Sequence, residues 1–98
     1  MYVGWPAGSG HPNRNKPKAT GSNSMALGPY CEATYSDSVA LNYMGLAHAA
    51  RSFACGRGTE VLGAHGAAFN RQTKAGGVNS AAFGINTAAY GYCSAAFG

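Results

Sequence analysis

Side chains able to do acid–base chemistry are few in this 98-residue sequence. They are Glu32, Asp37, Glu60, His11, His48 and His65. Catalysis by proton transfer needs such groups to converge in one pocket. No histidine has a paired carboxylate near it in the sequence, so we expect no enzymatic activity and no bound cofactor. We expect the imidazole of His48 to be a solvated surface group.

The cysteines, Cys31, Cys55 and Cys93, are odd in number and lack the Cys-x-x-Cys spacing of a zinc site. An odd set cannot close completely into intrachain disulfides. We therefore expect buried free thiols that pack as small apolar groups and hold no metal ion.

The sequence is moderately basic, with a net charge of +4 at pH 7. Arg14, Lys16 and Lys18 fall in the first 21 residues, which contain no acid. Nucleic-acid binding would need a larger basic surface with aromatic stacking platforms, so we expect a solvated arm and no nucleic-acid partner. No apolar run reaches the roughly 18 residues of a transmembrane helix, and we expect no membrane insertion.

A seven-residue repeat organises the chain from Ser22 to Gly98. Its clearest copies are VNSAAFG, INTAAYG and YCSAAFG at residues 78–98. Eleven heptads fit without insertion, and their fifth residue is Ala in all except one, where it is Val61. The third residue is always small, and the seventh is usually Gly or Asn. We therefore divide the chain into a Gly- and Pro-rich arm, residues 1–21, and a repeat region, residues 22–98.

The repeat predicts short strands separated by turns. Coiled coils also have a seven-residue period, but they need large apolar residues at two positions and few glycines. Here Gly or Asn closes most units, as in turns that require a positive φ angle. The residues between the turns alternate as in a strand. Strand–turn units of constant length stack into a β-solenoid.

Neighbouring heptads differ, and this difference sets the length of one coil. Odd heptads, counted from Ser22, have apolar residues at both their fourth and sixth positions. Even heptads have mixed and often charged residues at the same positions. The full period is therefore 14 residues, with two strands per coil and about five and a half coils.

Alternation along each strand assigns the side chains to two surfaces. Charges at the fourth position put that side of the even strands in solvent, and this predicted outer face comprises Glu32, Leu46, His48, Glu60, Lys74 and Tyr90. The small third and fifth residues must then fill a thin interior in which nothing larger fits. The predicted interior comprises Ala26, Ala40, Ala54, Val61, Ala68, Ala75, Ala82, Ala89 and Ala96.

The odd strands expose an apolar stripe that no other part of the chain can cover. Its largest members are Met25, Leu27, Val39, Leu41, Phe53, Cys55, Phe69, Phe83 and Phe97. Large continuous apolar patches mark interfaces, and bulky and small residues compensate along the stripe as they do in packed volumes. We therefore predict an obligate oligomer joined along its odd strands.

Thr59, Thr73 and Thr87 form a ladder with the spacing of one coil. Such a ladder invites an ice-binding interpretation. These residues occupy the third position, however, so we expect the ladder to be internal, with its hydroxyls bonded to the backbone or to one another.

The units NSMALG, DSVALN, RSFACG, NSAAFG and CSAAFG resemble the head repeats of trimeric autotransporter adhesins. The resemblance covers residues 22–98. It implies an all-β, left-handed parallel β-roll in a homotrimer, with three chains around one axis and the odd strands innermost. The sequence departs from the family at Tyr35 and Ala49, which replace turn glycines, and at Cys55, which would place three thiols near the axis.

Similar trimeric rolls occur in phage fibres. A chain that begins at Met1 without an export signal suits a virion component better than a self-exporting adhesin. We therefore expect a non-enzymatic fibre, spike or decoration module at a virion surface or in the extracellular space. The alternative is the head of a bacterial trimeric autotransporter adhesin that binds host matrix or a cell-surface receptor. The outer positions contain no aromatic cluster typical of glycan sites, which slightly favours the structural function.

The arm contains three of the four prolines and the only tryptophan. We expect Tyr2, Val3 and Trp5 to anchor residues 1–21 to a virion or fibre partner or to a neighbouring subunit.

Overall fold

The computed structural model of the chain describes residues 2–3, as backbone, and residues 17–98. These parts of the chain form thirteen short strands and contain no helix. One sheet has seven strands, in the order β1 (Tyr2–Val3), β3 (Met25–Leu27), β5 (Val39–Leu41), β7 (Phe53–Arg57), β9 (Ala67–Arg71), β11 (Ala81–Ile85) and β13 (Ala95–Phe97). The other has six strands, in the order β2 (Lys18–Ala19), β4 (Glu32–Ala33), β6 (Leu46–Ala47), β8 (Glu60–Val61), β10 (Lys74–Ala75) and β12 (Ala88–Ala89).

Successive strands alternate between the two sheets and pair in parallel with the strand one coil away. Ala40 pairs with Ala26 on one side and with Ala54 on the other, so neighbouring coils are offset by 14 residues. The strand in the opposite sheet serves as the crossover that every parallel pair needs. The predicted all-β parallel β-solenoid with 14-residue coils is therefore confirmed, and it makes about six turns.

The solenoid begins earlier than the expected boundary at residue 22. Lys18 pairs with Glu32 and Ala19 with Ala33, and the Lys18 amide donates to the Cys31 carbonyl at 2.8 Å. Residues 15–21, NKPKATG, are one more heptad of the same pattern. Pro17 stands at its small third position and lacks an amide donor, which an edge strand tolerates.

The interior between the two sheets is filled by small side chains. The predicted interior residues Ala26, Ala40, Ala54, Val61, Ala68, Ala75, Ala82 and Ala89 are at most 3% exposed, whereas Ala96 in the last coil is half-buried. Four of the five serines at the third position of odd heptads donate to the carbonyl three residues earlier, as Ser38 does to Tyr35 at 2.6 Å. These buried hydroxyls thereby gain the partner that burial requires. The fifth, Ser94 in the last coil, has a buried Oγ without a partner among the described residues.

Val61, the exception to the interior alanines, has a matching gap. Gly66 lies beside it, and a Cβ atom on Gly66 would approach Cγ1 of Val61 to 2.7 Å. Real Cβ atoms do not pack at this distance, so the two extra methyl groups of Val61 depend on the glycine. The interior therefore keeps a constant volume from coil to coil, as close packing requires.

The turns use left-handed backbone at three positions in each coil. The seventh residue of odd heptads is one of them, with φ of 134° at Gly56 and 88° at Asn70. The other two are the second residue of the odd heptad and the second residue of the even heptad, for example Asn23 and Asn86. The expectation that the Gly or Asn closing most heptads has a positive φ is met in odd heptads and wrong for the even ones, because Gly63 is not among the left-handed residues. Gly is needed there because a side chain would collide with the Gly77 carbonyl.

Candidate functional site

The outer face of the seven-stranded sheet carries two columns of apolar side chains. The predicted interface residues Met25, Leu27, Val39, Leu41, Phe53, Cys55, Phe69 and Phe83 are half-buried, and Phe97 is 73% exposed. The parallel register brings like positions together, so that Leu27 lies beside Leu41 and Phe69 beside Phe83. We call this surface the apolar stripe. It runs along the solenoid across β3, β5, β7, β9, β11 and β13.

The phenylalanines of the apolar stripe form a continuous stack. Ring centroids are 5.4 Å apart between Phe53 and Phe69, 4.9 Å between Phe69 and Phe83, and 5.0 Å between Phe83 and Phe97. Stacked aromatic pairs stabilise by about 0.5–1.5 kcal/mol beyond the area they bury. The stack fixes the side-chain positions along one edge of the stripe, which makes this surface preorganised for contact.

The three free cysteines occupy three different environments. Cys31 is buried, and its thiol lies 3.1 Å from the carbonyl oxygens of both Leu27 and Asn42. Burial raises the pKa of the Cys31 thiol. Cys55 is half-buried within the apolar stripe, and Cys93 is exposed in a turn. The expectation that all three thiols are buried is therefore wrong for Cys93, which lies at a second position of an odd heptad, on the turn.

The outer face of the six-stranded sheet carries ion pairs. His48 Nε2 lies 2.9 Å from Glu32 Oε1, and Lys74 Nζ lies 3.3 Å from Glu60 Oε1. The hydrogen bond that Lys74 donates to the Glu60 carboxylate raises the pKa of Lys74. The expectation of a merely solvated His48 without a carboxylate near it is wrong. Sequence distance hid the pair, because the two residues are diagonal neighbours on adjacent strands, within reach of long side chains.

The other members of this outer face surround those pairs. Leu46 is half-buried between the coils of Glu32 and Glu60, and Leu62 is 48% exposed. Tyr90 is 64% exposed, and its ring covers Gly76, where a Cβ atom would meet the ring at 2.5 Å. This face is therefore mixed in polarity, in contrast to the apolar stripe on the opposite sheet.

The threonine ladder lies inside the solenoid. Thr59 and Thr73 are at most 1% exposed, and Thr87 is half-buried. The hydroxyls of Thr73 and Thr87 donate to the carbonyls of Phe69 and Phe83, each at 3.1 Å. Thr59 Oγ1 is buried without a partner. Hydroxyls held in this way are not presented to ice.

A cluster at the end of the seven-stranded sheet was not foreseen from the sequence. Tyr30 and Tyr43 meet edge to face with centroids 5.7 Å apart, and the Arg57 guanidinium lies 5.8 Å from the Tyr43 ring centroid. Arg71 pairs with Arg57 in the parallel register. The signal was present in the first residues of the even heptads, which include Tyr43, Arg57 and Arg71 at the spacing of one coil.

The N-terminal residues enter the same sheet. The backbone of Tyr2 pairs with Ala26 and that of Val3 with Leu27, which places β1 at one edge of the seven-stranded sheet. Trp5, the third residue of the expected anchor, lies outside the described residues. Because β1 covers an edge whose amides and carbonyls would otherwise be unpaired, it acts within this chain as a cap on the first coil.

The other candidate features of the chain are metal-binding clusters, membrane-spanning helices and the remaining histidines. Among residues 2–3 and 17–98, no group of three or more His, Cys, Asp or Glu side chains is placed to hold a metal ion. No helix in the same part of the chain is long and apolar enough to cross a membrane. His65, at 3.5 Å from the Arg51 guanidinium, lies at the surface, and His11 falls outside the described residues.

Comparison of the sequence with protein-family models gives no match, and comparison with curated proteins gives none either. The surfaces of the solenoid are therefore the features from which a function can be inferred.

Proposed function

We propose that this chain is a non-enzymatic rod module of a homotrimeric fibre or spike, such as one on a virion. Three chains associate through the apolar stripe around one axis, with the six-stranded sheets outward. The observation that supports this most directly is the stripe itself, a continuous set of partly exposed Leu, Val, Met and Phe side chains on a solenoid whose interior is filled by small residues.

The energetics favour association over a stable monomer. Completing the burial of these partly exposed side chains contributes about 25 cal/mol for each Å² of apolar surface removed from water. The contribution accumulates along the whole length of the stripe. An alanine interior contributes little of its own, because each side chain buries only one methyl group. Folding and assembly are therefore coupled.

The number three and the left-handed coil come from the resemblance to trimeric autotransporter adhesin heads. In such a homotrimer each chain turns its apolar stripe toward the axis, where every stripe contacts the other two. In that arrangement the sulfur of Cys55 from each chain lies toward the axis, and the ion pairs of the six-stranded sheet stay in solvent.

Sedimentation equilibrium of the full chain tests the assembly. We expect a mass three times the 10.0 kDa of one chain at micromolar concentration. Leu41→Asp places a carboxylate in the apolar stripe and is expected to abolish the trimer, because an unpaired buried charge costs several kcal/mol. The matched control is Leu62→Asp, on the six-stranded sheet, where the same substitution meets water and the mass stays that of a trimer.

Two outcomes would contradict the assembly. One is a folded wild-type monomer by sedimentation and circular dichroism. The other is a trimer that Leu41→Asp leaves intact and Leu62→Asp breaks, since the interface would then lie on the opposite sheet. If Leu41→Asp does not fold at all, the wild-type melting temperature measured at several protein concentrations tests oligomerisation instead. The melting temperature of an oligomer rises with protein concentration, whereas that of a monomer does not.

A second experiment tests whether the rod belongs to a virion or to a cell surface. Purified virions should contain the chain in a fixed ratio to other structural proteins, measured by mass spectrometry. Recovery instead with cell envelopes, together with adhesion of the chain to host matrix proteins, would favour the alternative, the head of a trimeric autotransporter adhesin. The aromatic pair of Tyr30 and Tyr43 is the feature that favours a binding function beside the structural one.

A further inference from the structure

A row of side chains follows the corner where the strands of the seven-stranded sheet end. We call it the basic ridge and define it as Tyr30, Tyr43, Arg57 and Arg71. Arg57 is the last residue of β7 and Arg71 the last of β9, and the two are register partners. Adjacent parallel strands lie about 4.8 Å apart, so two side chains of the same charge start from neighbouring backbone positions. Both side chains are exposed.

The two arginines have no acid to neutralise them. The sequence contains three acids, Glu32, Asp37 and Glu60. Glu32 pairs with His48, Glu60 pairs with Lys74, and Asp37 accepts a hydrogen bond from Asn23 at 3.3 Å. Like charges directly across a sheet are destabilising. An arrangement that keeps them adjacent and unpaired is one that an external anion would stabilise.

The aromatic members of the ridge hold one guanidinium in place. The Tyr43 ring lies 5.8 Å from the Arg57 guanidinium carbon, within the range of a cation–π contact, and Tyr30 packs edge to face against Tyr43 at 5.7 Å. Tyr30 and Tyr43 keep 37% and 40% of their surface exposed. They are therefore fixed yet accessible, as a stacking platform for a ligand must be.

The backbone under the ridge is fixed as well. The carbonyls of Tyr43, Arg57 and Arg71 each accept an amide from the next coil, at 2.9, 2.8 and 3.0 Å. A rigid backbone lowers the entropy cost of ordering long arginine side chains around a ligand. Beside Tyr43 runs an open groove lined by Leu27, Gly28, Pro29, Leu41 and Asn42.

We propose that the basic ridge binds a sulfated oligosaccharide. A sulfate ester offers three terminal oxygens and can accept from two guanidiniums at once. The exposed tyrosine rings provide flat apolar surfaces for the faces of sugar rings, and the Asn42 amide, which is exposed beside them, can bond hydroxyl groups.

The site belongs to one chain and does not require the trimer. It extends the proposed fibre function by assigning a ligand class to the contact with a host surface. Two unpaired guanidiniums would be costly inside an interface, so in the trimer the ridge lies at the solvent-facing rim of the apolar stripe. Assembly brings three ridges into one particle, which raises avidity for a polymer without any new contact.

Binding of a heparin-derived hexasaccharide to the full chain, followed by isothermal titration calorimetry at physiological salt, tests the proposal. The comparison ligand is the same hexasaccharide after chemical desulfation. We expect Arg57→Gln with Arg71→Gln to weaken binding at least tenfold. The matched control is Lys18→Gln with Arg51→Gln, which removes the same net charge from positions away from the ridge and is expected to change affinity less than twofold. Tyr43→Ala is expected to weaken binding about fivefold, and Tyr35→Ala, at another exposed tyrosine, not at all.

Three results would overturn the proposal. They are equal binding of the desulfated hexasaccharide, equal losses in the two double variants, and full affinity in the Arg57→Gln, Arg71→Gln variant. Sedimentation of the same variants tests the trimer separately from the ligand site. Ridge variants that keep the trimer mass but lose ligand affinity support the site. Ridge variants that keep both the trimer mass and the ligand affinity overturn the site and leave the proposed assembly unaffected.

Discussion

The two sheets of the solenoid share one backbone plan and differ in what they present outward. Both are parallel, both repeat every 14 residues, and both hide small side chains between them. The seven-stranded sheet carries stacked phenylalanines and aliphatic residues outward, whereas the six-stranded sheet carries Glu32 with His48 and Glu60 with Lys74. The ladder of backbone hydrogen bonds therefore fixes where side chains stand, and the outward residues decide what each face contacts.

The same contrast holds between the inside and the outside of a single strand. Inward positions accept no residue larger than valine, because the opposite sheet leaves little space. Outward positions accept Phe, Leu, Glu, Lys or Ala at equivalent places. The tolerance of each position thus depends on its direction rather than on its strand.

The largest expected effect comes from enlarging an interior position. Ala40→Leu adds three carbons between Ala26 and Ala54, where exposure is 0%. Overpacking of a tight core costs about 1–3 kcal/mol or more, and the sheets cannot separate without breaking the turns that join them. We expect a loss of about 3 kcal/mol or failure to fold, measured by thermal unfolding followed by circular dichroism.

The matched control for that substitution is Ala88→Leu, which adds the same three carbons at an exposed outward position of β12. A surface change of this kind is expected to stay within about 0.5 kcal/mol. Equal losses of stability in the two variants would show that the space between the two sheets can hold a larger side chain than alanine at position 40.

The three cysteines test the difference between the interior and the surface of the solenoid without any substitution. Labelling of the native chain with iodoacetamide at neutral pH should modify Cys93 quickly, because its thiol is exposed. Cys31 should react only in denaturant, since burial both covers the thiol and raises its pKa, which lowers the reactive thiolate fraction. Peptide mass spectrometry measures each site separately.

Cys55 distinguishes the two sheets in this measurement. It is half-buried in the apolar stripe of one chain, so it should react in dilute samples that dissociate and become protected as concentration rises. Labelling of Cys55 at the rate of Cys93 under conditions where the protein sediments as a trimer would place the interface elsewhere.

The smallest expected effect lies on the six-stranded sheet. Glu60 raises the pKa of Lys74 above its ordinary value. Folding is therefore stabilised by this pair below the ordinary lysine pKa, and the stabilisation disappears as the pH rises through the raised value. Glu60→Gln should leave the melting temperature nearly unchanged at neutral pH, because exposed ion pairs contribute little, and should flatten its decline above pH of about 10.

Glu32→Gln is the matched control for the alkaline measurement. It removes the same charge from the same face, but its partner is the imidazole of His48 and not a lysine. Tyr90, which also acts on Lys74, remains in both variants. An alkaline slope altered equally by the two substitutions would mean that net charge, and not the Lys74 pair, determines it.

Much of this architecture could be predicted from the residues because the repeat is strict. Alanine at the fifth position of all heptads except one, together with the alternation of apolar and charged heptads, predicted the coil length, the two strands per coil and the direction of the side chains. Pro17 concealed the earlier coil at β2, because a proline does not resemble the small third residue of the other heptads. The basic ridge was missed for a different reason: positions that follow a turn have no fixed direction until the turn geometry is known.

The sequence by itself determined the period, the small interior and the existence of an uncovered apolar stripe, because each of these depends only on local alternation along a strand. The tertiary structure decided which residues 14 or 16 positions apart meet. It placed Arg57 beside Arg71, Tyr43 under Arg57, and Glu32 against His48. These contacts depend on the left-handed φ angles of the turns, such as those at Gly56 and Asn70, since the turn geometry directs each side chain after the strand has ended.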